Sequence, residues 1–254
     1  MKQQFGFVIK AAANTIKGGR DMEQGRRLAD LCEKNKALVV VDFVLTHMPA
    51  VARLRELIAG ELGKGLVLNG DLMIATANNP KAWTWDPDNG NGVINENTCH
   101  LFDTIRSLMG EAESLYAEGG SYLGSRLEDG AAMTIRFKSG AAAVLTGGGI
   151  AAQAFPQPPY LSLYAANGQA QLTGVQHMFG ALTWATRKDK ETKTETWELP
   201  PRGQIMIYAL RHFMDCVRSG RQPLTGVAEG MQALALAMAV RESLEKKRPV
   251  RVNS

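Results

Sequence analysis

The order of apolar and polar residues at the start of the chain predicts a strand, a helix and a second strand. Residues 5–9 form an apolar run of strand length, and residues 21–34 carry apolar side chains at helical spacing. Residues 37–42 (ALVVVD) do not alternate, which is typical of a strand buried on both faces. Together these elements predict one parallel crossover unit.

The middle of the chain carries short strand-like runs separated by turn sequences. The segments 138–140 (KSG) and 166–168 (ANG) are hairpin signals. A helix is predicted at residues 96–109, with Gly110 as its C-terminal cap. We predict strands at residues 66–75, 114–118, 131–138, 141–146, 160–165, 169–172, 182–187 and 194–199. Successive strands with short turns indicate a large, mostly antiparallel sheet.

Helices flank this strand-rich region. Pro49 begins one predicted helix, and apolar residues recur at helical spacing after Met206. Thr225 is predicted to cap a buried helix that runs to about Lys246, and residues 249–252 form a short strand. The fold class is therefore the end of a doubly wound α/β domain, followed by an α+β domain with an open, mostly antiparallel sheet backed by helices.

Composition places the chain among ordinary globular proteins. It has 254 residues, 45% of them hydrophobic and 21% charged. No apolar run approaches the ~18 residues of a membrane-spanning helix. The net charge of +4 is scattered, so neither a nucleic acid nor a membrane is an expected partner. The three cysteines are far apart and have no zinc-site spacing, which favours free thiols in a reducing cytoplasm.

Taken in order, four stretches resemble the Gfo/Idh/MocA family of oxidoreductases. They are residues 8–15, residues 39–43 with 48–63, residues 90–103, and the C-terminal segments 129–140, 213–223, 230–234 and 242–243. The resemblance implies that residues 1–45 are a remnant of an NAD(P)-binding Rossmann domain, and that residues 46–254 form a substrate and oligomerisation domain. It also implies an NAD(P)-dependent dehydrogenase that acts on a secondary hydroxyl of a sugar or cyclitol.

Lys10 matches the lysine of the family's Glu-Lys-Pro motif, whereas Ile9 and Ala11 depart from it. Without the resemblance, Lys10 is a solvated lysine at a strand end. The resemblance places Lys10 beside the nicotinamide and the reacting hydroxyl, so Lys10 is both a catalytic and a cofactor-binding candidate. An ammonium group there stabilises a developing alkoxide.

Glu96, His100 and Asp103 follow a glycine-rich turn at spacings that place them on one face of an α-helix. From the residues alone, this is a helix-terminal carboxylate with a buried, hydrogen-bonded histidine. A metal site is an alternative interpretation of these three residues, but it would need further ligands. The resemblance implies instead that His100 is the general base and that Glu96, where the family has Asp, orients it. Asp103 is expected to anchor the helix.

Other positions carry weaker expectations. The family's arginines after the second strand are replaced by Leu45, Thr46 and His47, which is expected to alter substrate contacts. His177 lies outside all four stretches and is taken as a non-catalytic reference. Alternation of apolar residues at 133, 135 and 137 predicts one apolar face on the sheet. We expect a homodimer or homotetramer through the other face.

The family's glycine-rich dinucleotide loop precedes the lysine, but only nine residues precede Lys10. The glycines at 147–149 and at 18–19 are interpreted as turns. We therefore expect an N-terminally truncated enzyme whose intact form uses NAD or NADP, with weak or no binding by this chain. The alternatives are a separate nucleotide-binding chain, or a non-catalytic sugar-binding or assembly protein derived from the family.

Overall fold

A computed structural model describes residues 22–76, 85, 92–201 and 204–253. Its centre is a nine-stranded sheet with the strand order β8-β7-β6-β5-β1-β4-β3-β2-β9. The strands are β1 Gly65–Met73, β2 Ala112–Gly120, β3 Gly130–Phe137, β4 Ala142–Gly148, β5 Tyr160–Ala165, β6 Gly168–Val175, β7 Met178–Thr186, β8 Lys193–Thr196 and β9 Val250–Arg251. Within this sheet β1 and β4 are parallel, and the other neighbours are antiparallel.

The described residues also form five α-helices. They are α1 Met22–Lys34, α2 Pro49–Ala59, α3 Cys99–Met109, α4 Ile207–Ser219 and α5 Val227–Lys246. A π-helical turn, Ile94–Thr98, runs directly into α3. The long helix α5 packs on β2, on α3 and on α1. The prediction of an open, mostly antiparallel sheet backed by helices is confirmed.

The alternation along β3 separates the two faces of the sheet. Met133, Ile135 and Phe137 are buried beneath the helices, whereas Thr134 and Arg136 are exposed. The hairpin to β4 turns at Gly140, whose φ of 84° favours glycine. The predicted apolar face is therefore confirmed. No helix in the described ranges is long and apolar enough to cross a bilayer.

The predicted crossover unit at the start of the chain is only partly observed. Helix α1 is confirmed, while residues 5–9 lie outside the described residues. The predicted strand at residues 37–42 is wrong, because this segment is not part of a β-ladder. The Val41 N–H donates to the carbonyl of Thr225 at 2.6 Å, and no described strand runs beside the segment. A β-branched run needs a neighbouring strand to complete a ladder.

The start of α5 also differs from its prediction. Gly226, not Thr225, is the N-cap residue, and its N–H donates to the Glu229 carboxylate at 2.8 Å. The Thr225 hydroxyl instead donates to the carbonyl of Val41 at 2.8 Å. Thr225 therefore connects α5 to the 37–48 segment, using both its carbonyl and its hydroxyl.

Candidate functional site

A small cavity of about 230 Å³ lies where the 43–48 segment, the end of β1, the π-helical turn and the β6–β7 turn meet. Its walls are largely apolar, and four polar side chains reach it. The apolar lining residues are Val44, Leu45, Leu72, Ile74 and Ile205, and the polar ones are Asn97, His100, Gln176 and His177. Apolar walls with a few convergent polar groups are typical of a small-molecule site.

His100 lies in the first turn of α3 and faces this cavity. Its ring packs edge-to-face on Phe43, with the ring centroids 6.1 Å apart. The Nδ1 atom is buried, while the residue as a whole retains partial exposure. The helix is reinforced at this point by the Thr104 hydroxyl, which donates to the carbonyl of His100 at 2.8 Å. The predicted base therefore lies beside a cavity.

Glu96, His100 and Asp103 are predicted to share one helical face, but of these three residues only His100 lines the cavity. The π-helical turn carries Glu96 and Asn97, and among the described lining residues it is Asn97 that accompanies His100. A π-turn holds an extra residue relative to an α-helical turn and so rotates the side chains that precede it. One Glu96 oxygen is buried, but Glu96 does not line the cavity.

Asp103 is fully buried and forms part of the packing under the site. It accepts a hydrogen bond from the Thr46 hydroxyl at 2.6 Å and pairs with Arg106 at 3.0 Å. Burial raises the pKa of Asp103, and the nearby Arg106 charge opposes that rise. The expectation that Asp103 anchors the helix agrees with these contacts, which tie α3 to the 43–48 segment.

Only one of the three residues that replace the family's arginines lines the cavity. Leu45 lines the cavity, whereas the Thr46 hydroxyl donates its hydrogen bond to Asp103. His47 lies 2.7 Å from the Thr225 hydroxyl, and its ring packs at 5.0 Å from that of His212. Burial, His212 and Arg55 lower the pKa of His47 to about 3. His47 is therefore a neutral packing residue.

His177 lies on the same cavity as His100, although it stands outside the four stretches that carry the resemblance. It sits in the β6–β7 turn, where Gln176 and His177 have φ of 49° and 67°. Its N–H donates to the carbonyl of Gln157 at 3.2 Å. The predicted strands ended well before this turn, and the turn has no glycine to mark it.

A second, larger cavity of about 640 Å³ adjoins the first. The two share Ile74, Asn97, Gln176 and His177 as lining residues. The larger one is otherwise lined by the end of β1 and by the loop that precedes β5. The two cavities are therefore adjacent, at one end of the sheet.

The described residues do not form a site for dinucleotide phosphates. Gly147 and Gly148 are the end of β4, not a turn. A Cβ on Gly147 would meet the Thr98 side chain, and one on Gly148 would meet the Asp129 backbone, so these glycines serve close packing. Lys10 and the glycines at 18–19 lie outside the described residues. No cluster of three metal-ligating side chains occurs in the described part of the chain.

The sequence matches known oxidoreductases. Residues 51–171 match the family model described as the GFO/IDH/MocA C-terminal domain. The myo-inositol 2-dehydrogenase of Thermotoga maritima is 28% identical over 167 residues, covering 63% of this chain and 49% of the relative. An uncharacterized oxidoreductase of Synechocystis is 30% identical over 100 residues, covering 38% and 27%. The chain thus spans about half the length of the first relative and a smaller share of the second.

Solved structures share the fold. A levoglucosan dehydrogenase in complex with NADH and L-sorbose superposes with a TM-score of 0.82 at 20% identity, covering 92% of this chain and 71% of that one. An NAD binding oxidoreductase from Klebsiella pneumoniae gives 0.82 at 16% identity, covering 92% and 72%. At these identities the likeness establishes the fold. With the sequence matches, the predicted relationship to the Gfo/Idh/MocA oxidoreductases is confirmed.

Proposed function

Because residues 51–171 match the GFO/IDH/MocA C-terminal domain model, we propose that the chain supplies the substrate side of an NAD(P)-dependent oxidoreductase. The substrate is a sugar or cyclitol that reacts at a secondary hydroxyl. Residues 46–254 form the substrate domain, and residues 1–45 are the end of a Rossmann domain. The main support for the proposal is that His100 lies beside a small cavity that is also lined by Asn97 and His177.

The chemistry assigned to the chain is proton transfer and orientation. Oxidation of a secondary alcohol removes a hydride from carbon and a proton from oxygen. A nicotinamide cofactor, when bound, accepts the hydride. His100 takes the proton through Nε2, since its Nδ1 is buried. Glu96 and Lys10 keep their proposed roles, as the carboxylate that orients His100 and the cation beside the alkoxide.

The cavity walls support this assignment. Removing water from around a hydroxyl strengthens its hydrogen bonds to fixed polar groups. Leu45, Leu72 and Ile74 provide the apolar walls, and Asn97 and His177 offer hydrogen bonds to further hydroxyls of the substrate. A polyhydroxylated ring matches this mixture of apolar walls and hydrogen-bonding side chains.

The cofactor is expected to bind this chain weakly or not at all. Most of the affinity for a dinucleotide comes from backbone N–H groups at a glycine loop that opens a helix. No such loop is found in the described ranges. Titration calorimetry with NADH and NADPH tests this, and micromolar binding would contradict it.

A turnover assay tests the function itself. The purified chain, and a chimaera that joins the nucleotide-binding domain of a relative upstream, are assayed with NAD and NADP on a panel of aldoses, ketoses and cyclitols. We expect turnover by the chimaera, monitored by absorbance of the reduced cofactor. Product analysis identifies the carbon that is oxidised. A chimaera that binds NADH but turns over no member of the panel would contradict the proposal.

A second candidate is a non-catalytic sugar-binding or assembly protein derived from the family. The cavity that presents Asn97 and His177 suits this candidate equally, because a sugar can bind there without a nucleotide. In that case the chain binds a sugar with no added nucleotide, and neither the chain nor the chimaera oxidises it. The same assay, combined with sugar titration, separates the two functions.

Self-association through the open face of the sheet is part of the proposal. Val67, Val144 and Tyr164 lie on neighbouring strands, and their exposed fractions are 43%, 48% and 41%. Adjacent apolar side chains on a flat sheet favour contact with a second copy. We expect a homodimer or homotetramer by analytical ultracentrifugation. Val144→Glu should weaken it, and a monomeric wild type at micromolar concentration would contradict it.

A further inference from the structure

The larger cavity is not needed for a single reacting ring. The smaller cavity, which holds His100, measures about 230 Å³, while its neighbour measures about 640 Å³. Pockets for drug-sized ligands begin at roughly 300 Å³, so the smaller cavity matches one ring and the larger has room for more. The two cavities have Asn97, Gln176 and His177 as common lining residues, so they are adjacent.

The polar groups of the larger cavity are those that bind hydroxyls. Its described lining includes the amides of Gln153, Gln157 and Asn97, and no Asp, Glu, Lys or Arg is among the described lining residues. The Gln157 amide oxygen accepts from the N–H of Ala75 at 2.9 Å, which orients the side chain. Its amide nitrogen makes no hydrogen bond to a described residue. This lining suits a neutral, hydroxyl-rich ligand better than an acid or a phosphate.

An exposed aromatic ring completes the lining. Phe155 is 72% exposed, the largest exposed fraction among the large apolar side chains of the described residues. It lies in the loop before β5, and it lines the larger cavity only. The C–H face of a pyranose packs on an aromatic ring, while the hydroxyls at its edge reach neighbouring amides. An exposed phenyl beside glutamine amides provides both contacts.

We propose that the larger cavity is a second sugar subsite, so that the ligand is a disaccharide or longer glycoside. This rests on the proposed function, in which one ring presents its hydroxyl to His100. The adjoining ring packs on Phe155 and hydrogen-bonds to Gln157. The bound substrate is then a neutral glycoside, with the two rings on either side of Asn97 and His177.

Titration calorimetry on the full chain tests the subsite. Glucose and myo-inositol are compared with maltose, cellobiose and lactose. We expect at least one disaccharide to bind about tenfold more tightly than glucose, because its second ring adds contacts of its own. Phe155→Ala should remove most of that difference and leave glucose binding unchanged. Tyr122→Ala, at a 62% exposed aromatic residue that lines neither cavity, is the matched control.

The outcomes separate the subsite from the proposed function. Equal affinity for glucose and all three disaccharides overturns the subsite, as does a Phe155→Ala variant that behaves like Tyr122→Ala. Failure to bind any probe also overturns it. Histidine-labelled protein shows by NMR whether glucose perturbs His100, so the smaller cavity is observed independently. If the disaccharide preference and the Phe155 effect are found while the chimaera lacks turnover, the redox function fails and the subsite stands.

Discussion

The two sides of the 43–48 segment present histidines in opposite environments. On one side, His100 packs edge-to-face on Phe43 and faces a cavity with Asn97 and His177. On the other, His47 packs against His212 and contacts the Thr225 hydroxyl. The first side has space for a ligand, whereas the second is filled by α4 and the start of α5. A histidine therefore becomes a candidate base here through the space beside it, not through its residue type.

The electrostatics of the two sides differ for the same reason. Burial and the neighbouring His212 and Arg55 lower the pKa of His47 to about 3, so His47 stays neutral near pH 7. A group that cannot take a proton near neutral pH is a poor general base. Burial also lowers the pKa of His212. Four measurements test whether the two sides differ in this way.

The largest effect is expected on the cavity side. His100→Ala in the chimaera should lower kcat by about 10²–10⁴, which is typical for loss of a general base. Folding should be unchanged, as judged by circular dichroism and thermal unfolding. His212→Gln is the control, because an amide oxygen can still accept the N–H of Leu224. A loss below about tenfold for His100→Ala would remove His100 from the role of base.

The connection between the two sides is expected to affect stability. Asp103→Ala removes a buried carboxylate that holds Thr46 and Arg106. Breaking such a pair leaves buried partners unsatisfied, and we expect a loss of about 3 kcal/mol in the free energy of unfolding. Urea denaturation measures it. Glu242→Ala, at an exposed ion pair with Lys246, should cost less than about 1 kcal/mol. Similar losses in the two variants would refute the anchoring role.

The packed side is expected to respond to acid. The folded-state pKa of His47, about 3, lies below its ordinary value of 6.5, so the unfolded chain binds more protons between these values. Stability is therefore full above about pH 6.5 and falls as the pH drops, by at most about 2 kcal/mol at pH 5. Urea denaturation at pH 7 and pH 5 checks this. His47→Gln should lose less stability than wild type over the same interval, and an equal loss would contradict the assignment.

The smallest effect is expected at His177. His177→Ala removes one hydrogen-bonding group from the wall shared by the two cavities, and we expect about a tenfold rise in KM in the chimaera, or ~1.4 kcal/mol. The kcat should change less than it does for His100→Ala, since His177 orients substrate and does not take the proton. If His177→Ala matched His212→Gln in both constants, His177 would be outside the site.

Most elements of the fold could be predicted because their causes are local. Alternation along β3, the proline that begins α2 and the glycine that ends α3 each act within a few residues. The strand predicted at residues 37–42 was wrong because a ladder depends on a neighbour distant in the sequence. The capping role of Thr225 was wrong because its hydroxyl binds Val41, which is 184 positions away.

For the site, local sequence signals place His100 at the start of a helix after a glycine-rich turn, with Asp103 one turn later. The other residues beside His100 are brought there by the packing of segments that are distant in the chain. The π-helical turn brings Asn97 to the cavity in place of Glu96, and β6 and β7 carry His177 to the same place. A cavity is bounded by segments far apart in the chain, and side-chain spacing within one helix cannot specify the others.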